Sequence, residues 1–132
     1  MIDPAAWLAI WNGPDLDAIR EISTDDLEVT AVTAAIEPRH YEGRDAAVRW
    51  LVELRERIQA DWSATHLVPL ADDVIVIEGE VRFVEPVSTG AESQSFAILM
   101  WLRDDKVRWI GTFMTFQAAR EAWERGIGAE PE

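Results

Sequence analysis

His66 is the side chain whose type best suits proton transfer in this chain. It lies in the segment Ala64-Thr65-His66-Leu67-Val68, whose composition is typical of a strand. An imidazole titrates near neutral pH and can therefore act as a general acid or a general base. A histidine at a sheet edge can equally be bonded to a neighbour without doing chemistry, and both interpretations stay open.

Charged residues alternate along the next predicted strand, over residues 74–84. Glu78, Glu80 and Arg82 share one face of that strand, and apolar residues take the other. If the polar face points into a cavity, Glu80 and Arg82 can form a charge pair that activates water or polarises a carbonyl. If it points outward, the same residues form a solvated row, which is the commoner arrangement.

Aromatic residues suggest an apolar cavity. The chain has seven tryptophans and one tyrosine, and Trp is favoured where a large apolar area must be covered. We expect Trp7, Trp11 and Trp50 to contact a flat hydrophobic ligand, with Tyr41 near the opening. There is no cysteine, and the two histidines show no ligand spacing, so neither a metal nor another cofactor is predicted.

Charge and length limit the remaining possibilities. The net charge of −13 repels phosphate backbones and anionic lipids, so we expect neither nucleic acid nor a membrane as partner. The N-terminus lacks the basic start and the apolar stretch of a signal peptide, and a cytoplasmic location is expected. The 132 residues indicate one domain over residues 1–126 and a flexible tail over 127–132.

The pattern of elements is α+β, with helices before strands. A turn is predicted over 23–26. Helices are predicted near residue 4 and over 15–22, 43–60 and 117–125. Strands are predicted over 63–70, 74–84, 93–103 and 106–115, and residues 27–36 are predicted to form one or two strands.

The last two strands are apolar on both faces and are expected to form a hairpin across Asp104-Asp105, with Arg103 opposite Lys106. Both faces therefore need a cover, one from the chain's own helices and the other from a second subunit or a ligand. The face predicted to line the cavity contains Ser95, Ala97, Leu99, Trp101, Arg108, Ile110, Thr112 and Met114. The other face is predicted to form a twofold homodimer through Phe96, Ile98, Met100, Trp109 and Phe113. The opposite arrangement, in which this second face packs on the helices, stays open.

Several short segments carry a family resemblance. They are Trp7-Leu8-Ala9-Ile10-Trp11, Asp15-Leu16-Asp17-Ala18-Ile19, Thr24-Asp25-Asp26-Leu27-Glu28-Val29, Tyr41-Glu42-Gly43-Arg44-Asp45-Ala46-Ala47-Val48 and Leu102-Arg103-Asp104-Asp105-Lys106-Val107. In this order and spacing they resemble the nuclear transport factor two-like superfamily, in particular its SnoaL-like polyketide cyclase and ketosteroid isomerase branches. The resemblance implies a cone-shaped, cystatin-like α+β fold. In that fold, N-terminal helices pack in a curved mixed or antiparallel sheet around a cavity.

The resemblance also bears on catalysis. The three residues of the ketosteroid isomerases fall on Trp7, Ala31 and Leu99, which cannot supply an oxyanion hole and a base. A shifted alignment places Glu37-Pro38 on the family's Asp-Pro, and some relatives carry a working histidine on the strand of His66. The catalytic candidates are therefore His66, Glu37 and Glu80.

Three functions stay open at this point, because the fold does not determine a reaction. The first is binding of a hydrophobic small molecule with cofactor-free acid–base chemistry of the cyclase, dehydratase or isomerase type. The second is a non-catalytic ligand-binding or accessory dimer. The third is a purely structural dimerisation module with a filled cone.

Overall fold

The computed structural model describes residue 9 and residues 16–31, 39–49, 60–83 and 93–129. Ala9 is helical, and the described part of helix α2 covers 44–49. The other elements are helix α1 (Leu16–Glu21), strands β1 (Ser23–Ala31), β2 (Arg39–Glu42), β3 (Ala60–Ala71), β4 (Val74–Phe83), β5 (Ser93–Arg103) and β6 (Lys106–Phe113), and helix α3 (Phe116–Glu124).

The strands form one curved mixed sheet in the order β2-β1-β6-β5-β4-β3. Strands β1 and β6 run parallel, and the other neighbours run antiparallel. The predicted α+β fold with a curved mixed sheet is confirmed. No helix in the described ranges is long and apolar enough to cross a membrane.

Strand β1 begins at Ser23, where the sequence predicts a turn, and that prediction is wrong. The Ser23 hydroxyl donates to the Ile19 carbonyl over 2.7 Å, and the Val107 amide donates to the Ile22 carbonyl over 2.7 Å. The polar side chain thus closes the end of α1, and the backbone continues directly into the sheet. Hydroxyl residues favour turns because they bond nearby backbone, and here that same capacity closes a helix instead.

The hairpin of β5 and β6 turns at Asp104 and Asp105 as predicted, with φ of 54° and 62°. Arg103 lies opposite Lys106, which confirms the predicted pairing at the turn. Two residues further along, however, Trp101 lies opposite Trp109, so Arg108 is the extra residue of a β-bulge. Beyond that bulge each β6 side chain shares a face with the β5 residues that the prediction placed on the opposite face.

One face of the sheet, here called the inner face, packs on helices α1 and α2. Ile19 of α1 and Ala47 of α2 are buried in the same apolar cluster as the inner-face side chains. The buried strand residues of that face are Leu27, Val29, Ala64, Ile75, Ile77, Met100, Leu102, Val107 and Ile110. Tyr41, Phe96 and Ile98 are half-buried against them.

The other face, here called the outer face, lies beneath helix α3. Ala119 and Ala122 of α3 are buried against it, and its buried strand residues are Val74, Val76, Ala97, Leu99, Trp109 and Phe113. The second cover of the doubly apolar hairpin is therefore the chain's own C-terminal helix, where the sequence predicts a second subunit or a ligand. The prediction that a second subunit or a ligand covers this face is therefore wrong for the part that lies under α3.

Residues 127 and 128 continue this cover past the end of α3. Trp101 donates its indole N–H to the Ile127 carbonyl over 2.9 Å, and the buried Arg108 guanidinium donates to the Gly128 carbonyl. The sequence predicts a flexible tail from residue 127, whereas these two residues lie on the outer face.

The bulge overturns both predicted faces of the hairpin. Of the predicted cavity residues, Ala97, Leu99 and Trp101 lie on the outer face, whereas Ile110 and Thr112 lie on the inner face. The predicted dimer surface is divided in the same way. Its members Phe96, Ile98 and Met100 are on the inner face, and Trp109 and Phe113 are beneath α3. These five side chains share no face, so the predicted interface is wrong, while a homodimer as such stays a prediction.

Candidate functional site

A second β-bulge directs His66. Ala64 lies opposite Gly79 and His66 opposite Glu78, so Thr65 is the extra residue of β3. Leu67 packs against the inner cluster, whereas His66 shares the outer face with its partner Glu78. The sequence places His66 in a strand of the cone, and the structure directs its side chain away from α1 and α2.

The bulged Thr65 also orients the imidazole. Its hydroxyl lies 3.0 Å from His66 Nδ1 and donates to the Glu78 carbonyl over 3.3 Å. A hydroxyl has one proton, so a Thr65 oxygen that donates to the Glu78 carbonyl accepts from His66 Nδ1–H. In that arrangement the neutral ring has its lone pair on Nε2, whereas in the other tautomer Nδ1 accepts the Thr65 proton.

His66 lines an open groove of about 320 Å³ on the outer side of the sheet, beside the start of α3. Strands β3, β4 and β5 form its floor, and the junction of β6 with α3 forms its wall. The described lining residues are Thr65, His66, Glu78, Gly79, Ser95, Phe96, Met114, Thr115 and Phe116. The groove therefore combines an imidazole, a carboxylate and hydroxyls with the apolar side chains of Met114 and Phe116.

Two hydrogen bonds fix the wall of the groove. Ser95 Oγ donates to the Met114 carbonyl over 2.9 Å, which ties the β6–α3 junction to β5. Thr115 is the N-cap of α3, and its hydroxyl accepts from the Ala118 amide over 3.1 Å. Phe116 then enters the groove as the first residue of α3, and Met114 stays 48% exposed at its edge. An exposed methionine beside polar groups is suited to contact with an apolar ligand.

The acidic residues of β4 take different positions relative to the groove. Glu78 is half-buried and lines it, opposite His66. Glu80, the predicted catalytic residue, is exposed opposite Ser95, and Arg82 is exposed opposite Ser93. The carboxylate that accompanies His66 is therefore Glu78, which the sequence placed in the charged row without assigning it a role. Only the bulge at Thr65 puts the two opposite each other, and no sequence pattern signals that bulge.

Of the other described residues predicted to line the cavity, Ser95 and Met114 line the groove, and the rest do not. Tyr41 is half-buried on the inner face, the face that also carries Ile110 and Thr112. Ala97 and Leu99 are fully buried beneath α3, and Trp101 is half-buried beside them. The predictions for Trp7, Trp11, Trp50 and Glu37 lie outside the described residues.

Leu99, the position that the resemblance assigns to the isomerases' acid donor, does not lie on the inner face. Leu99 faces α3, and its neighbours Ile98 and Met100 are the β5 residues on the inner face. Ile98 and Met100 are both apolar. Like Leu99, neither of them can act as an acid donor. The described part of β5 supplies no acid donor to the inner face.

A shifted carboxyl pKa occurs far from the groove. Arg103 forms a bidentate pair with Asp26 at N–O distances of 3.1 Å, and this hydrogen bonding lowers the pKa of Asp26 below its ordinary value. The pair joins β1 to the end of β5 beside the hairpin turn, so its role is structural. Within the described ranges, no group of three or more His, Asp or Glu side chains could hold a metal ion.

Comparison with solved structures confirms the fold. A proposed polyketide cyclase from Sinorhizobium meliloti is 14% identical with a TM-score of 0.62, over 81% of this chain and 89% of that one. A nuclear transport factor two-like protein of unknown function from Mesorhizobium loti is 14% identical with a TM-score of 0.65, over 84% and 86%. TerC, co-crystallised with polyporic acid, is 15% identical with a TM-score of 0.65, over 91% and 94%.

The sequence itself matches a family model. No curated protein matches the chain. The model described as a SnoaL-like domain matches residues 5–110, which include His66, Glu78 and Ser95 and end before Met114 and α3. With most of its length matched and a curved mixed sheet of six strands, the chain belongs to the SnoaL-like domain family and has the nuclear transport factor two-like fold.

Proposed function

We propose that this protein binds an apolar small molecule in the groove beside α3 and that His66 exchanges a proton with it without a cofactor. The observation that carries the proposal is the bond between Thr65 and His66. It holds the Nδ1–H side of the ring and leaves Nε2 as a base in a groove with apolar walls. A base fixed in this way needs little reorganisation before it takes a proton.

Glu78 supports the same role. It is the cross-strand partner of His66, and side chains directly opposite each other in a sheet have Cβ atoms about 5 Å apart. Among the described residues no side chain hydrogen-bonds this carboxylate, so its oxygens can accept a hydrogen bond from a ligand that lies beside His66 in the groove.

A general-base probe tests the proposal without knowledge of the natural substrate. A nitro-substituted benzisoxazole is apolar and reacts when a base removes its carbon-bound proton. The C–H electron pair then enters the new carbon–nitrogen triple bond, and the nitrogen–oxygen bond breaks to release a coloured phenolate. We expect the protein to accelerate this elimination, and His66→Ala to remove at least about 90% of the acceleration, since a positioned base contributes roughly 10²–10⁴-fold.

His40→Ala is the matched control because it removes the other histidine of the chain. It should leave the rate unchanged. An unchanged rate in His66→Ala, with loss of rate in His40→Ala, would assign the base elsewhere. A wild-type protein that neither accelerates the reaction nor binds the probe would refute the proposed site.

The second candidate function is a binder without chemistry. It is favoured by the loss of the isomerases' acid, which the resemblance places at Leu99, and by the apolar inner-face neighbours Ile98 and Met100. Retained binding of the benzisoxazole without acceleration of its elimination would support it. The cytoplasmic location and the homodimer stay predictions, and light scattering coupled to size exclusion would test the latter.

A further inference from the structure

We propose that the groove selects an organic cation, an amine with apolar substituents. This inference rests on the proposed function, because both place the ligand in the same groove. Among the described residues that line it, Glu78 is the one with a full charge when His66 is neutral, and none is Lys or Arg. Met114 and Phe116 offer apolar surface for the substituents.

Hydrogen-bond accounting supports a ligand that donates. The Thr65 hydroxyl gives its proton to the Glu78 carbonyl, and the Ser95 hydroxyl gives its proton to the Met114 carbonyl. In the tautomer that matches the Thr65 bond to the carbonyl, His66 gives its Nδ1–H to Thr65. These three side chains then offer a ligand only lone pairs, and the Glu78 carboxylate is an acceptor as well, so the Thr115 hydroxyl is the one lining side chain among the described residues that keeps a proton to donate. A protonated amine carries N–H donors, whereas a carboxylate or phosphate ligand carries none.

The charges around the groove act in the same direction. Glu80 lies on the same face two residues beyond Glu78, and the chain has a net charge of −13, which attracts cations. Arg82 lies four residues from Glu78, about 13 Å along an extended strand. The start of α3 carries about half a positive charge, but its cap already bonds the Ala118 amide, and the full charge of Glu78 is larger.

Phenyl compounds that differ in charge test this inference on the full-length protein. Benzylammonium, benzyl alcohol and benzoate have the same phenyl ring and similar length. Their binding can be followed by the amide resonances of Ser95, Met114 and Phe116. We expect benzylammonium to bind about tenfold more tightly than benzyl alcohol, as one charge-assisted hydrogen bond provides. Benzoate should shift none of these resonances.

Glu78→Gln should lower the affinity for benzylammonium about tenfold and leave that for benzyl alcohol unchanged. Glu80→Gln is the matched control, since it removes the same charge from the same face of β4 outside the groove, and it should change either affinity less than twofold. Unchanged benzyl alcohol binding also shows that the Glu78 variant is folded.

The two proposals fail in different ways. If benzyl alcohol or benzoate binds as tightly as benzylammonium, or if Glu78→Gln and Glu80→Gln act alike, the cation inference is wrong and the groove remains a binding site. If none of the three compounds shifts the groove resonances at millimolar concentration, the groove is not a ligand site and both proposals are wrong.

Discussion

The two faces of the sheet are covered by different parts of the chain. The inner face packs on α1 and α2 within the segment that matches the SnoaL-like family model. The outer face packs on α3, which lies beyond the matched residues. His66 and Glu78 line the groove at the point where that cover begins. The helix that closes the outer face therefore also supplies the wall of the groove.

The two ends of α3 differ in how closely the chain covers the sheet. At its start the helix leaves an open groove, with Thr115 as cap and Phe116 as wall. Past its end the backbone lies directly on the sheet, because Gly128 leaves room for the rings of Trp101 and Trp109. The cover is thus closed at one end and accessible at the other.

The largest effect is expected from a charge placed between α3 and the outer face. Ala119 is fully buried there, so Ala119→Asp would bury a carboxylate without a partner. We expect a loss of about 3–5 kcal/mol in the free energy of unfolding, measured by urea denaturation. Gln117→Asp puts the same residue on the exposed side of α3 and should change stability by less than about 0.5 kcal/mol. Equal effects of both variants would show that α3 does not seal this face.

The closed end can be tested with two glycines of similar conformation. Gly126 and Gly128 have φ of 77° and 90°, so an alanine is strained at either position, by about 1–2 kcal/mol. A Cβ at Gly128 would also lie 2.5 Å from the Trp109 ring, whereas at Gly126 it would meet nothing within 4 Å. Gly128→Ala should therefore cost about 1–3 kcal/mol more than Gly126→Ala in thermal or urea unfolding. Equal losses would mean that residue 128 does not contact the tryptophans.

Sequence patterns predicted the elements better than the faces. The span of β5 and the turn at Asp104-Asp105 follow from composition, because strand residues and turn residues differ in type. The direction of each side chain depends on register, and one bulge residue in a strand reverses it. Arg108 and Thr65 are both bulge residues, and neither an arginine nor a threonine in an apolar run signals a bulge. The sequence predicted the family. It did not predict that Glu78 is the partner of His66, because that depends on how β3 pairs with β4.

The cover of the outer face shows a similar limit. The sequence indicates that the hairpin needs covers on both sides and predicts a closing helix near its end. It does not connect the two, because the apolar face of a short helix such as α3 does not identify the surface on which it packs. The contacts of Ala119 and Ala122 supply that connection.

Two conservative tests, Met114→Ala and Tyr41→Phe, compare ligand binding in the groove at the start of α3 with ligand binding on the inner face. If the ligand lies in the groove, Met114→Ala should weaken binding of benzyl alcohol by about 1 kcal/mol, roughly fivefold, through lost apolar contact. Tyr41→Phe alters the inner face, where the sequence placed a ligand contact, and should leave that binding unchanged. The reverse result, measured by the same amide titration, would move the ligand site to the inner side of the sheet.

The smallest effect is expected at Asp26, which lies outside the groove and both apolar clusters. Its bond to Arg103 lowers its pKa in the folded state, so the pair stabilises the fold above the unfolded pKa of about 3.9 and less as pH falls through the folded value. Because both side chains are substantially exposed, Asp26→Asn should cost less than about 1 kcal/mol at neutral pH. Urea unfolding of both proteins from neutral to acidic pH should show the difference vanishing on acidification. A stability difference that persists at acidic pH would have to come from packing, since Asp26 is then protonated and no longer pairs with Arg103 as a charge.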